Sequence, residues 1–162
     1  MSIILAVILG LVMLGLDIIT KMLVLGYFEG TSKTVSVIDG VLSFCYRGND
    51  GAGFSILSGH TEFLVIFTII ALIAILFLLI KGTYRSHITN FGFCLIFFGG
   101  IGNLIDRLFR NGVVVDFISF DFIDFPVFNV ADICVTVGAG LVILYFLIEV
   151  VKEYKAKGKP ND

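Results

Sequence analysis

The sequence predicts an all-α polytopic membrane protein in which four transmembrane helices carry a small extracytoplasmic β-hairpin or cradle. Hydrophobic residues make up 58% of its 162 residues and charged residues only 15%. The mean hydropathy of +1.07 lies outside the range of soluble domains, and four apolar runs are long enough to cross a bilayer. We expect one membrane-embedded domain over residues 1–162, with spans at about 3–25, 62–80, 88–108 and 129–150 and extracytoplasmic segments at 28–60 and 109–128.

The first span contains a pair of opposite charges. Asp17 and Lys21 are four residues apart, acid before base, which places them on one face of a helix. They either neutralise each other near the membrane edge or form a buried pair that supports a site. Both interpretations stay open, because ionisable pairs inside membrane helices usually have a role.

The segment after the first span alternates as β-strands do. Val35–Val37 and Leu42–Tyr46 are separated by Asp39-Gly40, which is typical of a hairpin turn. The polar, glycine-rich run Asn49–Phe54 follows. It is either an ordinary surface loop or a backbone that approaches a ligand closely, which glycine permits.

The remaining spans differ in their polar content. The second is almost purely aliphatic and aromatic, so we assign it to scaffolding and lipid contact. The third carries Gly99, Gly100 and Gly102 near its far end, where small residues let helices pack closely.

Basic residues predict the orientation of the chain. Six lie on the side of the two termini: Lys81, Arg85, Lys152, Lys155, Lys157 and Lys159. Four lie on the other side: Lys33, Arg47, Arg107 and Arg110. The positive-inside bias therefore predicts cytoplasmic termini, with the hairpin and the segment 109–128 together on the outer face.

Acidic residues concentrate around the connection between the third and fourth spans. The stretch Gly99–Asp132 holds five of the chain's 13 acidic residues. Carboxylates next to hydrocarbon are costly, so each needs a partner, a water-filled cavity or a function. The five are Asp106, Asp116, Asp121, Asp124 and Asp132.

Two of these acids follow an asparagine by three residues. Asn129 and Asp132 have the spacing of a capping box at the start of the fourth span, so capping alone is one interpretation of this pair. Asn103 and Asp106 lie instead at the end of a helix, where the dipole disfavours an anion. For Asp106 we expect an ion pair or a hydrogen-bonded brace with the adjacent Arg107.

Asp116 has no local capping role, because it ends a β-branched run on the connection between the spans. The third span ends and the fourth begins at the same membrane face, so Asp116 can reach Asp132. Two carboxylates in a partly desolvated site do not both ionise readily, and the pair then holds one proton. One member can activate water while the other protonates the carbonyl or the leaving amine, which is aspartic peptide hydrolysis. The titration belongs to the pair, so acid and base are not assigned individually.

Other chemistries have less support. Two histidines and three cysteines form neither a nucleophile–base pair nor a metal cage by their spacing. We expect no metal and no cofactor, although a hard cation held by carboxylates stays open. A net charge of −2 without aromatic–basic alternation predicts no nucleic-acid partner. The rival classes are a four-helix transporter, which needs ionisable groups along a midplane pathway, and a membrane assembly protein without catalytic activity.

Five short motifs follow one another along nearly the whole chain. They are Asp17-Ile-Ile-Thr-Lys21, Asn49-Asp-Gly51-Ala-Gly-Phe54, Gly102-Asn103-Leu-Ile-Asp106-Arg107, Val114-Val115-Asp116-Phe117 and Phe128-Asn129-Val-Ala131-Asp132. In order and spacing they resemble the motifs of bacterial lipoprotein signal peptidase, also called signal peptidase II.

The resemblance implies a four-helix inner-membrane aspartic endopeptidase with an extracytoplasmic β-cradle and Asp116 and Asp132 as its catalytic pair. The implied reaction removes the signal peptide from lipid-modified prolipoproteins, before the diacylglyceryl-cysteine. The partners would be these substrates and membrane lipid, and we expect a monomer. The residues expected to line or support the site are Asn49, Gly51, Asn103, Asp106, Arg107, Asn129, Ala131, Asp17 and Lys21.

Two positions depart from the family pattern. Members commonly have alanine where Gly53 stands and serine where Ile133 follows Asp132. Both positions lie beside motif residues, so the departures bear on fine tuning of the site rather than on the activity.

Overall fold

The computed structural model describes residues 3–51, 57, 59–82 and 86–157. Its helices are α1 (Ile3–Phe28), α2 (Thr61–Lys81), α3 (His87–Phe109) and α4 (Val130–Lys157), and its strands are β1 (Thr34–Ile38), β2 (Leu42–Asn49) and β3 (Val114–Phe120). All four helices are long and apolar enough to cross a membrane, as predicted. Residues of the sequence analysis that lie outside the described part are Ala52, Gly53, Phe54, Arg85 and Lys159.

The third helix, α3, lies at the centre of the bundle and packs against α1, α2 and α4. The three glycines near its far end each face a different neighbour. A Cβ on Gly99 would lie 2.7 Å from the carbonyl oxygen of Ala131 in α4, and one on Gly102 would lie 2.5 Å from a carboxylate oxygen of Asp17 in α1. Gly100 faces a leucine of α2 at 3.0 Å. The predicted close packing at these glycines is confirmed.

The second helix, α2, presents an apolar outer surface. Ile70, Ile73 and Ile80 are 61%, 62% and 78% exposed. Such an exposed row of large aliphatic side chains along one helix would be unfavourable in water but is favourable in the hydrocarbon of a bilayer. This surface is the one we expect to contact lipid.

The predicted hairpin forms and is joined by a third strand. The sheet has the order β1-β2-β3, and both neighbouring pairs are antiparallel. Gly40 in the turn has a φ of 71°, a left-handed conformation that glycine adopts readily. Asp116 lies on the connection between the third and fourth helices, as expected, and the β-branched run before it forms β3, a strand that was not predicted and that pairs with β2.

The sheet rests on one end of α1. Val24 and Phe28 of α1 form a buried cluster with Val115 and Phe117 of β3. Successive residues of a strand point to opposite faces, so this contact turns Asp116 to the other face of β3. There it is 1% exposed.

The connection from β3 to α4 is tied back to the sheet. The backbone N–H of Phe128 donates to the carbonyl oxygen of Ile118 at 3.0 Å, and the N–H of Ile118 donates to that of Phe128 at 2.8 Å. These bonds bring the start of α4 beside β3. The two aspartates predicted as a pair therefore approach each other through main-chain geometry.

Candidate active site

The charged pair of the first span is buried at the end of the bundle. Lys21 Nζ lies 2.8 Å from Asp17 Oδ2 and 2.9 Å from Asp106 Oδ2, and it donates to Asn103 Oδ1 at 3.0 Å. Asp17 and Lys21 are each 1% exposed. Of the two interpretations of this pair, the buried one is confirmed, and its cation reaches the polar end of α3.

Asp106 is braced by a different arginine from the one predicted. Its Oδ1 accepts from Arg110 Nε at 2.9 Å, and its Oδ2 accepts from the backbone N–H of Val115 at 3.2 Å. The predicted brace with Arg107 is wrong, because adjacent helix residues point in different directions whereas residues four apart share a face. Sequence reasoning could have found Arg110 from that spacing. It had no basis for predicting the backbone donor of Val115.

Arg107 instead links α3 to the residues at the end of β2 by a hydrogen bond. Its Nη2 donates to the carbonyl oxygen of Gly51 at 2.6 Å, and the N–H of Gly51 donates to Asn49 Oδ1 at 2.9 Å. The Nε of Arg107 is buried and has no hydrogen-bond partner among the residues that the structure describes. The guanidinium lies within electrostatic range of Asp132, Asp116 and Asp106.

Asn129 both caps α4 and contacts the acidic pair. Asn129 Oδ1 accepts from the N–H of Asp132 at 2.9 Å, and the backbone N–H of Asn129 donates to Asp132 Oδ2 at 3.1 Å, which is a reciprocal capping box. Its Nδ2 donates to Asp116 Oδ1 at 2.6 Å and to Asn103 Oδ1 at 3.1 Å. Capping is therefore confirmed, and it is only half of what this side chain does.

The two aspartates are held by asparagine amides. Asp116 Oδ2 accepts from Asn49 Nδ2 at 2.8 Å, and Asp132 Oδ1 accepts from Asn103 Nδ2 at 2.7 Å. Burial, followed by the charge of Asp132, raises the pKa of Asp116 to about 7, although the amides of Asn49 and Asn129 oppose the rise. A carboxyl group in this state keeps its proton close to neutral pH.

Ala131 completes the network through its backbone. Its N–H donates to Asp17 Oδ1 at 2.9 Å, which joins the start of α4 to α1. Every residue predicted for the site thus belongs to one continuous set of hydrogen bonds and ion pairs. The set draws on α1, β2, α3, β3 and α4 and on the residues next to them.

Metal ligation has no structural support in the described part of the chain. Within residues 3–51, 57, 59–82 and 86–157, no three His, Cys, Asp or Glu side chains come together as metal ligands would. The polar atoms around the aspartates are mostly amides and cations, and amide N–H groups and cations do not ligate metals. The arrangement suits proton transfer between paired carboxylates.

Comparisons with known proteins agree with this arrangement. The family model described as signal peptidase (SPase) II matches residues 9–148. The lipoprotein signal peptidase of Streptococcus thermophilus is 43% identical over 134 residues, which cover 83% of this chain and 86% of the relative. That of Shouchella clausii is 39% identical over 144 residues, which cover 89% and 93%. A solved bacterial membrane enzyme superposes with a TM-score of 0.83 at 31% identity, covering 97% of this chain and 93% of that one.

The fold and these likenesses define a multi-pass membrane peptidase of the bacterial inner membrane. Four helices long enough to cross a membrane carry a three-stranded sheet, and this chain superposes on the solved membrane enzyme over 97% of its length. The chain belongs to the signal peptidase II family.

Proposed function

We propose that this protease is an aspartic endopeptidase that removes signal peptides from lipid-modified prolipoproteins, and that Asp116 and Asp132 are its catalytic pair. The observation that carries the assignment is Asn129, whose amide bonds to Asp116 while its backbone and side chain bond to Asp132. One residue thus holds two carboxylates of different elements in a single buried site. The relatives' name, lipoprotein signal peptidase, supports the substrate class.

The reaction needs one proton on the pair. The ionised carboxylate takes a proton from water as the water oxygen bonds to the scissile carbonyl carbon, and the protonated carboxyl gives its proton to the carbonyl oxygen. The resulting gem-diol then collapses. The first carboxyl returns its new proton to the leaving nitrogen as the C–N bond breaks, and the second recovers a proton from a gem-diol hydroxyl. The pair ends with one proton, as it began.

The peptide strand is expected to bind between the end of β2 and α3. Asn49 and Gly51 stand there, with Arg107 bonded to the Gly51 carbonyl. The unused Nε–H of Arg107 is placed to donate to a carbonyl oxygen of the substrate. Its donation would hold the extended peptide against the carboxylates.

The lipid of the substrate acts in this proposal as a positioning device. In this proposal the active site lies at the extracytoplasmic face and both termini are cytoplasmic. The chain works as a single monomeric domain. The diacylglyceryl chains of the substrate lie in the bilayer between the spans. Burying them contributes about 0.8 kcal/mol per CH₂. It also holds the peptide bond before the modified cysteine at the carboxylates.

Two measurements on the full-length chain in detergent test the proposal. A precursor carrying diacylglyceryl-cysteine is expected to be cleaved before that cysteine at least about 100-fold faster than the unmodified precursor, since lipid burial positions the scissile bond. Equal rates would remove the lipid from the substrate definition. Asp116→Asn and Asp132→Asn are each expected to abolish cleavage while the purified protein keeps its helical content. An active variant would exclude that aspartate from the pair.

A further inference from the structure

Four carboxylates and three cations meet at the site. The carboxylates are Asp17, Asp106, Asp116 and Asp132, and the cations are Lys21, Arg107 and Arg110. With both members of the pair ionised, four negative charges would face three positive ones in a site that is only partly open to water. One proton on the pair makes the count three against three, which is the cheaper state in a low dielectric.

The surroundings of the two aspartates differ in a way that decides where the proton lies. Asp132 stands in the first turn of α4, where the helix dipole favours an anion. Its two oxygens accept from Asn103 Nδ2 and from the backbone N–H of Asn129. Asp116 lies within β3 rather than in a helix, accepts from the side-chain amides of Asn49 and Asn129, and is 1% exposed.

A cation is hydrogen-bonded to one of these donors, the side-chain amide of Asn103. Lys21 Nζ donates to the oxygen of the Asn103 amide, whose nitrogen donates to Asp132. A cation on the oxygen of an amide draws electron density from its nitrogen, so the N–H bond to the carboxylate becomes stronger. Lys21 therefore acts on Asp132 through two consecutive hydrogen bonds, of 3.0 and 2.7 Å.

We propose that Lys21 is a positioning residue that acts through Asn103, so that Asp132 is the ionised member of the pair and Asp116 carries the shared proton. The inference rests on the proposed peptidase reaction and assigns its two roles. Asp132 takes the proton from the attacking water, and Asp116 gives its own proton to the carbonyl oxygen. In the collapse step Asp132 protonates the leaving nitrogen, and Asp116 recovers the proton from the gem-diol.

Charged and titratable groups lie near the pair on several elements. On α1 these are Asp17 and Lys21, and at the end of α3 and just after it they are Asp106, Arg107 and Arg110. On β2, Arg47 pairs in register with Asp116, and on α4, Cys134 lies within electrostatic range of Asp132. The side chain of Arg47 belongs to an exposed residue. The charge-changing variants of the first test therefore alter α1 alone, where the cation and its counter-ion can be changed separately.

The first test is the pH profile of kcat/KM for the lipidated precursor. Wild-type activity is expected to fall on the alkaline side near pH 7, as Asp116 loses its proton. Lys21→Met removes a positive charge and is expected to move this alkaline limb of the pH profile to higher pH by about half a unit or more. Asp17→Asn removes a negative charge but keeps a side-chain oxygen that can accept from the backbone N–H of Ala131. This variant is expected to move the alkaline limb to lower pH. Lys152→Met, at the far end of α4, is the control and leaves the limb in place.

Opposite shifts in the two α1 variants distinguish an electrostatic role from a structural one. A merely structural pair would lower the rate in both variants without moving the limb, or would move it in one direction in both, and either result overturns the proposal. Should Lys21→Met not fold, Asp17→Asn decides alone, because a limb that stays in place or rises contradicts the inference.

The second test locates the proton. In infrared spectra recorded between pH 5 and 9, the protonated-carboxyl band that titrates near pH 7 is expected to vanish in Asp116→Asn. In Asp132→Asn the band is expected to persist and to titrate at lower pH, since the neighbouring charge is gone. A protonated-carboxyl band that still titrates near pH 7 in Asp116→Asn overturns the assignment. A wild-type protein that does not cleave the precursor at all would instead refute the proposed function.

Discussion

At the scale of single residues, Asn129 makes more of the hydrogen bonds that hold the site together than either aspartate does. It caps α4, bonds to both members of the acidic pair and contacts Asn103. It is 0% exposed, so each of its polar atoms must find a protein partner. An amide suits this position because it offers donors and an acceptor on one short side chain.

Replacing Asn129 is expected to separate effects on rate and on stability. Asn129→Ala removes the cap and leaves buried groups unpaired, which is expected to cost about 1 to 3 kcal/mol of stability. The loss of its bond to Asp116 is expected to lower kcat/KM at least about 100-fold, because the carboxylates are no longer held together. Thermal unfolding and cleavage kinetics in detergent measure both. Asn90→Ala, near the start of α3, serves as the control, and equal activity in the two variants would contradict the central role of Asn129.

The raised pKa of Asp116 predicts a trade between activity and stability. A carboxyl whose pKa is raised from 3.8 to about 7 in the folded state binds a proton more tightly folded than unfolded. Its contribution to stability is therefore complete below about pH 4 and is lost as the pH rises towards 7. Asp116→Asn removes this loss, so the inactive variant is expected to melt at a higher temperature than wild type at pH 8.

The comparison needs a matched exposed acid. Asp39→Asn, on the exposed hairpin turn, is expected to leave the pH dependence of the melting temperature unchanged. Should wild type and Asp116→Asn show the same change in melting temperature between pH 5 and pH 8, Asp116 would not titrate in that range in the folded protein.

The sequence predicted the set of residues that gather at the site, although not every contact among them. Spacing within a helix identified the bond between Asp17 and Lys21 and the capping box at Asn129, because both depend on local geometry alone. The third contact of Lys21, with Asp106, joins two helices that are far apart in the chain. Local spacing carries no information about such a contact.

At the scale of elements, α3 and α4 are joined through opposed glycines. A Cβ on Gly138 would lie 2.6 Å from the carbonyl oxygen of Gly92, and one on Gly92 would lie 2.8 Å from that of Gly138. Backbone meets backbone at this point, so no side chain can move aside to make room. The interface fixes the distance between the helices that carry Asn103 and Asp132.

A glycine pair on one helix offers a matched test of this interface. Gly138→Val is expected to force α3 and α4 apart and to lower stability by at least about 1 to 3 kcal/mol, with lost cleavage. Gly140→Val places the same side chain two residues further, where nothing lies within 4 Å, and is expected to be tolerated. Melting temperature and yield of folded protein measure the difference. Equal losses in both variants would show that helix propensity rather than packing is responsible.

Strand β3 was not predicted, because the sequence lacks a local pattern that identifies it. The hairpin of β1 and β2 was predictable because its turn and alternation are local. β3 pairs with β2 across the whole of α2 and α3 in the chain. All four residues from Val114 to Phe117 are buried, so the strand shows no alternation of exposed and buried positions by which to recognise it.

At the scale of the whole molecule, the number of spans was readable from hydropathy alone, since bilayer thickness sets the length of each apolar run. The proposed orientation follows from six basic residues against four. A reporter that is active only in the cytoplasm, fused after Lys157, is expected to be active, and one inserted at Gly40 is expected to be silent. The reverse pattern would place the carboxylates on the cytoplasmic side and exclude the proposed substrate encounter.

The position of Asp132 on the last helix has a consequence for biosynthesis. Residues from α1, β2, α3 and β3 leave the ribosome before Asp132, which the proposed pair requires. On the proposed assignment, proteolytic competence therefore arises only when α4 enters the membrane. A chain ending at Phe128 is accordingly expected to insert as three spans and to cleave nothing, and detectable turnover by it would refute this order of maturation.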